Sequence, residues 1–471
     1  MLNFLFDKKL NYKTIFKIFK MNSANNSNNK KRVYVVHSVD TEGPLQESIE
    51  ATFDRLNSLL GIKLEPSQKN LEKIQNKEIN LDGKEEFASE IFSHHLTNYN
   101  DSWEKINQML DKIMSSKFRN SIPDSLGSGW IFNWHCVDHV GYQINPRNRT
   151  LGHHKIFDHY VEYVEKTKSK NDEIHWHFHP MSFYREAHRK GTSFVNSFHL
   201  HEVLCRKIIE RTWFPNVFRA GFHVERPDIH LFLEQWIPFD LSNISTVENN
   251  FEKNQSDLQT GRFGDWRFAP NDWSIYNPSH DNYQLEGNCR RHIGRILNLK
   301  TRHANISQNE VDKAFSRANQ GLPTLLGVTN HDFRNMKNEI IPFYDMLKLA
   351  KEKYPDVDFV YSEASNAFRN VIFGENQHFD DLDLKVTYEK NEQNLKLNVS
   401  VQNGSVFGPQ PYLAIKTKSG KFIHENFDLI VPNKSWSYTF DIESIKPNDV
   451  ESVGIACNDK FGRSLVKTID F

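Results

Sequence analysis

The chain has no excess of either charge: 59 Lys and Arg stand against 60 Asp and Glu over 471 residues, a formal net charge of −1. A whole-protein nucleic-acid footprint needs a cationic surplus to displace phosphate counterions, so no nucleic-acid partner is expected. Long apolar runs are also missing. None reaches the roughly 18 uncharged residues that a spanning helix needs, so no transmembrane segment is expected. Cysteine is scarce: Cys136, Cys205, Cys289 and Cys457 lie far apart with no C-x-x-C pair. That argues against a cysteine zinc site or a disulfide framework and favours reduced thiols in a cytoplasmic protein. The length, with 38% apolar residues, allows two or three domains and a sizeable core.

Residues 1–30 stand apart. Lys8, Lys9, Lys13, Lys17 and Lys20 interleave with Leu2, Phe4, Leu5, Leu10, Ile15, Phe16, Ile18 and Phe19. The segment reads first as a frayed extension and second as a basic amphipathic helix making weak contact with an anionic membrane surface. Its lysines interrupt the apolar core that a secretory signal requires, and an Asn/Ser-rich linker follows at residues 22–29, so no export is expected.

From residue 31 the pattern changes. Val33-Tyr34-Val35-Val36 reads as a buried strand that runs into His37-Ser38-Val39-Asp40-Thr41-Glu42-Gly43-Pro44. Ionisable residues therefore crowd a strand's C-terminal end, where the loops of a parallel barrel or open α/β sheet assemble their site. Residues 45–123 are polar and helical, with packing stripes at Ile49-Phe53-Leu56-Leu59-Leu60 and Trp103-Ile106-Met109-Leu110-Ile113-Met114. A second strand is expected over residues 130–137, a helix near 156–166 and a third strand over 173–180. This alternation predicts a parallel α/β architecture.

The segment Glu173-Ile174-His175-Trp176-His177-Phe178-His179-Pro180 carries the most information. Side chains alternate along a strand, so His175, His177 and His179 share one face and Ile174, Trp176 and Phe178 pack on the other. Packing gives no reason for three imidazoles on one face, and buried ones need partners for their ring nitrogens. Neutral imidazole is the commonest nitrogen ligand for Zn, Fe, Co or Ni. A metal site is therefore expected over its competitor, a hydrogen-bonded histidine cluster. Asp40 and Glu42, two apart at a strand end, supply carboxylates to the same pocket, one as ligand and one to handle a proton.

Four motifs in order resemble those of the NodB-like polysaccharide deacetylases: Val39-Asp40-Thr41-Glu42-Gly43-Pro44, the 173–180 segment, Phe218-Arg219-Ala220-Gly221, and Asn330-His331-Asp332. The likeness is nearest to the branch found with bacterial O-antigen synthesis genes, through Trp266-Arg267-Phe268-Ala269-Pro270, Tyr276-Asn277-Pro278-Ser279 and Asp281. It implies a distorted (β/α) barrel and a metal-dependent hydrolase, with zinc first among the ions and Co, Ni or Fe as alternatives. The substrate would be a sugar or polysaccharide precursor bearing an N- or O-acetyl group. By the same resemblance Asp40 is the base and Glu42 a ligand, or the reverse. The histidine ligands are His177 and His179, or His175 and His179, with Asp40 and His175 as further candidate donors. Arg219 orients the catalytic carboxylate, His331 is the general acid, and Asp332 or Asp265 orients His331.

Trp266 and Tyr276, with Trp176 and Phe222, are candidates to stack on sugar rings, and Asp138 and His139 follow the second strand as further substrate contacts. The expected layout is a barrel over 31–372 with a helical insertion at 45–123 near its mouth. An antiparallel β-sandwich follows over 373–471, read from alternating Leu382-Leu384-Val386, Leu395-Leu397-Val399 and Trp436-Tyr438-Phe440 between turns. A non-catalytic glycan-binding or assembly protein on the same scaffold is the alternative.

Overall fold

The computed structural model describes residues 30–246, 264–375, 377–391 and 393–471. The basic segment 1–20 and the linker 22–29, on which weak membrane contact was expected, lie outside the described residues.

Eight parallel strands come first: β1 (Arg32–Thr41), β2 (Asn133–Val137), β3 (Glu173–Phe178), β4 (Val217–Ala220), β5 (Phe239–Asn243), β6 (His292–Asn298), β7 (Thr324–His331) and β8 (Asp358–Tyr361). β1 to β7 pair in sequence, and β7 pairs back to β1, closing a seven-strand barrel. One edge of β1 is forked. Its upper half, Ser38–Thr41, pairs with β2, and its lower half, Arg32–Val35, pairs with β8.

β1 is buried from Val33 onward, as expected for a β-branched parallel strand covered on both faces. Val33, Val35 and Val39 face the helices, in a core with Trp134, Leu326 and Val328. Tyr34 and Val36 face inward with Leu241, Ile296 and Leu325. Alternation then turns Ser38 and Asp40 into the barrel. β2 starts at Asn133, three residues later than expected. The Phe132 N–H donates to the Asp172 carboxylate at 3.1 Å and the Trp130 N–H to the Arg119 carbonyl at 3.3 Å, so side-chain and loop acceptors take the place of a strand ladder there.

Between β1 and β2 lie six helices, from Ile49–Leu60 to Ser116–Ser121. Ser48, Ser67, Ser102 and Ser115 cap four of them, each hydroxyl accepting a first-turn N–H. The earlier helices bury Phe53, Leu56, Leu71, Ile74 and Phe92 in a small core of their own. Helix Trp103–Ile113 turns Ile106, Met109, Leu110 and Ile113 onto the barrel, as its spacing predicts. The insertion reaches the mouth, where Asn100 Nδ2 donates to the Asp332 and Arg334 carbonyls just beyond β7, at 2.9 and 3.0 Å.

After helix Ala364–Phe373 come two antiparallel four-stranded sheets. They are built from β9 (Asp383–Lys390), β10 (Leu395–Asn403), β11 (Tyr412–Thr417), β12 (Phe422–Glu425), β13 (Asp428–Val431), β14 (Ser435–Phe440), β15 (Val450–Asn458) and β16 (Ser464–Asp470). The strand orders are β13-β14-β10-β9 and β12-β11-β15-β16. Leu395, Leu397 and Val399 of one sheet share a core with Leu413, Ile415, Val453 and Ile455 of the other. On the barrel side, Tyr412, Ala414 and Ala456 pack with Val203, Leu204, Ile208 and Trp236.

Candidate metal centre at the barrel mouth

Alternation and register bring the ionisable motifs to one end of the barrel. Asp40 pairs in register with His331 of β7 and with His135 of β2, and His177 pairs with Arg219 of β4. His177 and His179 lie on the inner face, while Trp176 and Phe178 pack outside with the helices. Glu42, His177 and His179 are all buried, and one ligand atom from each lies within 4.8 Å of the other two.

The donors are oriented for a cation. His177 Nδ1 sits 3.0 Å from the Arg219 carbonyl, so Nδ1 carries the proton and Nε2 presents its lone pair. That Nε2 lies 2.9 Å from His179 Nε2, and His179 Nε2 lies 3.5 Å from Glu42 Oε1. Zinc bonded to nitrogen at about 2.0–2.1 Å places neighbouring ligand atoms somewhat over 3 Å apart, so these separations suit a divalent ion. His179 Nδ1 is buried with no partner among the described residues.

Glu42 lies just past the end of β1, and its loop is fixed from β7. Asp332 accepts the N–H of Glu42 at 3.0 Å, the N–H of Gly43 at 2.9 Å and the Tyr160 hydroxyl at 2.8 Å. Gly43 has φ +72°, and a Cβ there would meet the Trp103 ring at 3.1 Å. Arg149 Nη2 holds Glu42 Oε2 at 2.7 Å, leaving Oε1 toward the histidines. Burial would raise the Glu42 carboxyl, but Arg149, His179 and His331 outweigh it and hold it well below the carboxylate range.

Asp40 is tied to Arg219, whose Nε lies 2.5 Å from Oδ1. The guanidinium also donates to the Leu241 carbonyl at 2.9 Å and meets His223 Nδ1 at 3.2 Å. His331 Nε2 stands 3.8 Å from Asp40 Oδ2 and 3.7 Å from Glu42 Oε1. Burial pushes His331 down to about 3 against the pull of Asp40 and Glu42, so its ring is neutral near pH 7, where an uncoupled histidine would still be about a quarter protonated. Burial likewise drives His177 well below its ordinary range, with His179 adding to the effect. Neutral imidazole is the metal-binding form.

Other expected site residues lie elsewhere. His175 sits deeper in the barrel, 3.2 Å from both Asn133 Oδ1 and Glu173 Oε2, and does not join the donor set. Asp138 is not a substrate contact. It is buried outside the barrel wall, where Lys207 Nζ meets it at 3.1 Å and Trp176 Nε1 donates to it at 3.2 Å; as the residue before inward-facing His139 it takes the opposite face. Trp266 and Tyr276 are also core residues, their polar atoms donating to the His223 and Tyr283 carbonyls, each at 2.8 Å. Trp176 is fully buried. Asp265 pairs with Arg267 at 2.8 Å and Asp332 with the Glu42 loop, so neither orients His331.

His139 does reach the site, with its ring centroid 5.8 Å from that of His179 and its Nε2 buried without a partner among the described residues. Phe222 packs on His179 at 4.6 Å. It and His223 have φ of 54° and 55°, a strained backbone of the kind that gathers at functional sites. Arg149 and Asp332's anchoring role were not anticipated. Arg149 lies in a polar loop without periodicity, and only Asp332's place after a strand-end histidine marked it for attention.

Fold and site together define a closed parallel α/β barrel with a buried Glu–His–His set able to hold a metal ion at its C-terminal mouth. No family model, no curated protein and no solved structure matches the chain.

Proposed function

We propose that the protein is a metal-dependent hydrolase that removes an acetyl group from a sugar or polysaccharide precursor, on a barrel of the NodB-like type. The observation that carries this reading is the convergence of Glu42, His177 and His179 as donors beside an Arg219-bound Asp40 and a neighbouring His331. Zinc suits the mixed nitrogen and oxygen set. When bound, a divalent ion there supplies Lewis-acid charge for the acyl oxygen and the attacking water.

Asp40 takes the proton from water, and Arg219 holds its carboxylate in place. His331 starts neutral, so the proton it delivers to the departing nitrogen or oxygen is the one Asp40 has received. The products are acetate and the free amine or hydroxyl. Glu42 would join His177 and His179 in holding the ion, which leaves the Arg219-bound Asp40 as the base.

The test is elemental analysis combined with acetate release from acetylated aminosugar oligomers, before and after chelation. The protein is expected to contain a stoichiometric divalent ion, and activity to disappear on chelation and return with Zn. Asp40→Asn should keep the ion and lose activity by a factor of about a hundred or more. Negligible metal content, or acetate release that survives His177→Ala with His179→Ala, rules the reading out.

A further inference from the structure

We propose that Arg149 and His188, on the loops after β2 and β3, bind an oxyanion of the substrate beside Glu42, so that the sugar acted on carries a carboxylate or a phosphate. The inference rests on the hydrolytic reading for treating that sugar as substrate. The two loops are fastened to each other: the Ala187 N–H donates to the Ile144 carbonyl at 3.0 Å and the Gln143 N–H to the Arg185 carbonyl at 2.8 Å. Asn145 clamps Arg149, accepting its backbone N–H at 2.9 Å and donating to its carbonyl at 3.0 Å.

The donors set there have no acceptor. Arg149 spends only Nη2 on Glu42, and its Nε and Nη1 are buried without a partner among the described residues. His188 adds a third donor. Arg147 Nη1 lies 3.0 Å from His188 Nδ1, and a guanidinium can only donate, so Nδ1 accepts and the ring proton sits on Nε2. That Nε2 is also buried without a partner among the described residues. Burial lowers His188 most and Arg149 next, ahead of the touching Arg147, so the Arg149 charge lies against the same ring. Buried donors left unmade are costly and call for an acceptor. None of the three nitrogens is open to water, so that acceptor is enclosed between the loops.

Charge selects an anion over a neutral acceptor. Asp40 is matched by Arg219, Glu186 by Arg189 on the His188 loop, and Asp332 accepts two N–H groups and the Tyr160 hydroxyl. Beside them three guanidiniums share two carboxylates: Arg149 pairs with Glu42, while Arg55 and Arg147 both pair with Glu47. The crowding registers on Arg147, which burial lowers below its ordinary value, with Arg55 and Arg149 adding to it against the pull of Glu47. A divalent ion at Glu42 enlarges the surplus. Water or a sugar hydroxyl could accept the free N–H groups but brings no charge, whereas a carboxylate or phosphate accepts them and balances the surplus. Because the same guanidinium touches Glu42 at 2.7 Å, the oxyanion lies close enough to belong to the molecule held at the candidate centre.

The experiment is calorimetric titration of the whole chain with inorganic phosphate, glucuronate and glucose, with elemental analysis of the same samples. Phosphate or glucuronate should bind at least about tenfold more tightly than glucose, and the tighter of the two names the group. His188→Phe removes one donor and should cut that preference by about tenfold, while its metal content and thermal midpoint match the parent. Arg149→Lys, which keeps a charge beside Glu42 but offers a single nitrogen, should cut it likewise and decides the matter if the first variant does not fold. A parent chain that binds all three alike overturns the proposal. So does a preference left intact in a folded variant, which would place the anion on the ion itself. An ion-free protein ends the hydrolytic reading whatever the sugars do, and an ion-bearing protein without the preference ends this inference alone.

Discussion

Gly221 decides how closely the end of β4 approaches the candidate centre. A Cβ at this position would fall 2.1 Å from His179 Cδ2 and 2.7 Å from its Cα, a separation that forces the ring or the strand to move. Gly221→Ala should therefore weaken divalent-ion affinity by about ten- to a hundredfold, the usual cost of disturbing what orients a ligand, with about 1–3 kcal/mol of overpacking in stability. Competition against a chromogenic chelator measures the first effect and thermal unfolding of the metal-free chain the second. Unchanged affinity would remove His179 from the donor set. At this scale the sequence was legible where chemistry and period coincided. Three histidines at every second residue declared one face, and Asp40 with Glu42 declared a strand end. It was not legible for His175, which obeys the same period but lies one step deeper, where Glu173 and Asn133 engage it. Nor could it mark Trp266 and Tyr276 as core, because a tryptophan that seats its N–H on a buried carbonyl has the same one-letter code as one that meets a sugar.

The elements around the mouth are held together by buried charge. The side chain of Glu47 is 1% exposed and accepts Arg55 Nε and Nη2 at 3.1 and 2.8 Å from the first insertion helix. It also meets Arg147 Nη2 at 2.8 Å from the loop after β2, and the Tyr99 hydroxyl at 3.2 Å. Burial alone would raise this carboxyl, but Arg55 and Arg147 outweigh it and bring it below the ordinary glutamate value. The folded pKa is thus lower than the unfolded one. The stabilisation is fully present above about pH 4.3 and is lost as pH falls through the lower folded value. Protection of the amides of residues 47–60 and 99 against exchange, measured relative to the intrinsic rate at each pH, should fall only as pH drops below about 4.3. Glu47→Gln should flatten that dependence and, at neutral pH, cost about 1–3 kcal/mol by leaving two partly buried guanidiniums without their counter-charge. Equal acid sensitivity in parent and variant would refute the assignment. The helix stripes of this insertion could be read from spacing alone, since Ile106, Met109, Leu110 and Ile113 recur at three and four. The ion node could not, because Glu47, Arg55 and Arg147 lie in three different segments and ordinary glutamates and arginines are solvated.

For the whole molecule, the question is whether barrel and sheets fold as one body. Four of the eight sheet strands, β9, β10, β11 and β14, were legible from alternation and turn residues, but the docking of the sheets was not, since it rests on small residues and single hydrogen bonds without a pattern. A Cβ on Gly454 would meet Ile208 Cγ2 of helix His199–Arg211 at 2.4 Å, and one on Gly408 would fall 1.6 Å from the Gln235 carbonyl oxygen. Asn458 Nδ2 donates to the Pro215 and Trp236 carbonyls, both at 2.8 Å. Tyr412 meets His201 Nδ1 at 2.9 Å, and the His201 ring stacks on His424 at 4.5 Å. Contact this close, with buried polar groups satisfied across it, couples the two cores, because separating them would expose apolar surface and strand those donors together. The parent chain should then unfold in a single calorimetric transition. Gly454→Leu drives a side chain into Ile208 and should lower the midpoint through about 1–3 kcal/mol of overpacking, splitting the endotherm as the sheets melt apart from the barrel. Ion affinity at Glu42, His177 and His179 should stay unchanged in that variant below its first transition, since no donor touches the sheets. Two transitions in the parent chain would show that the cores melt independently, and that the docking contacts hold position without sharing stability.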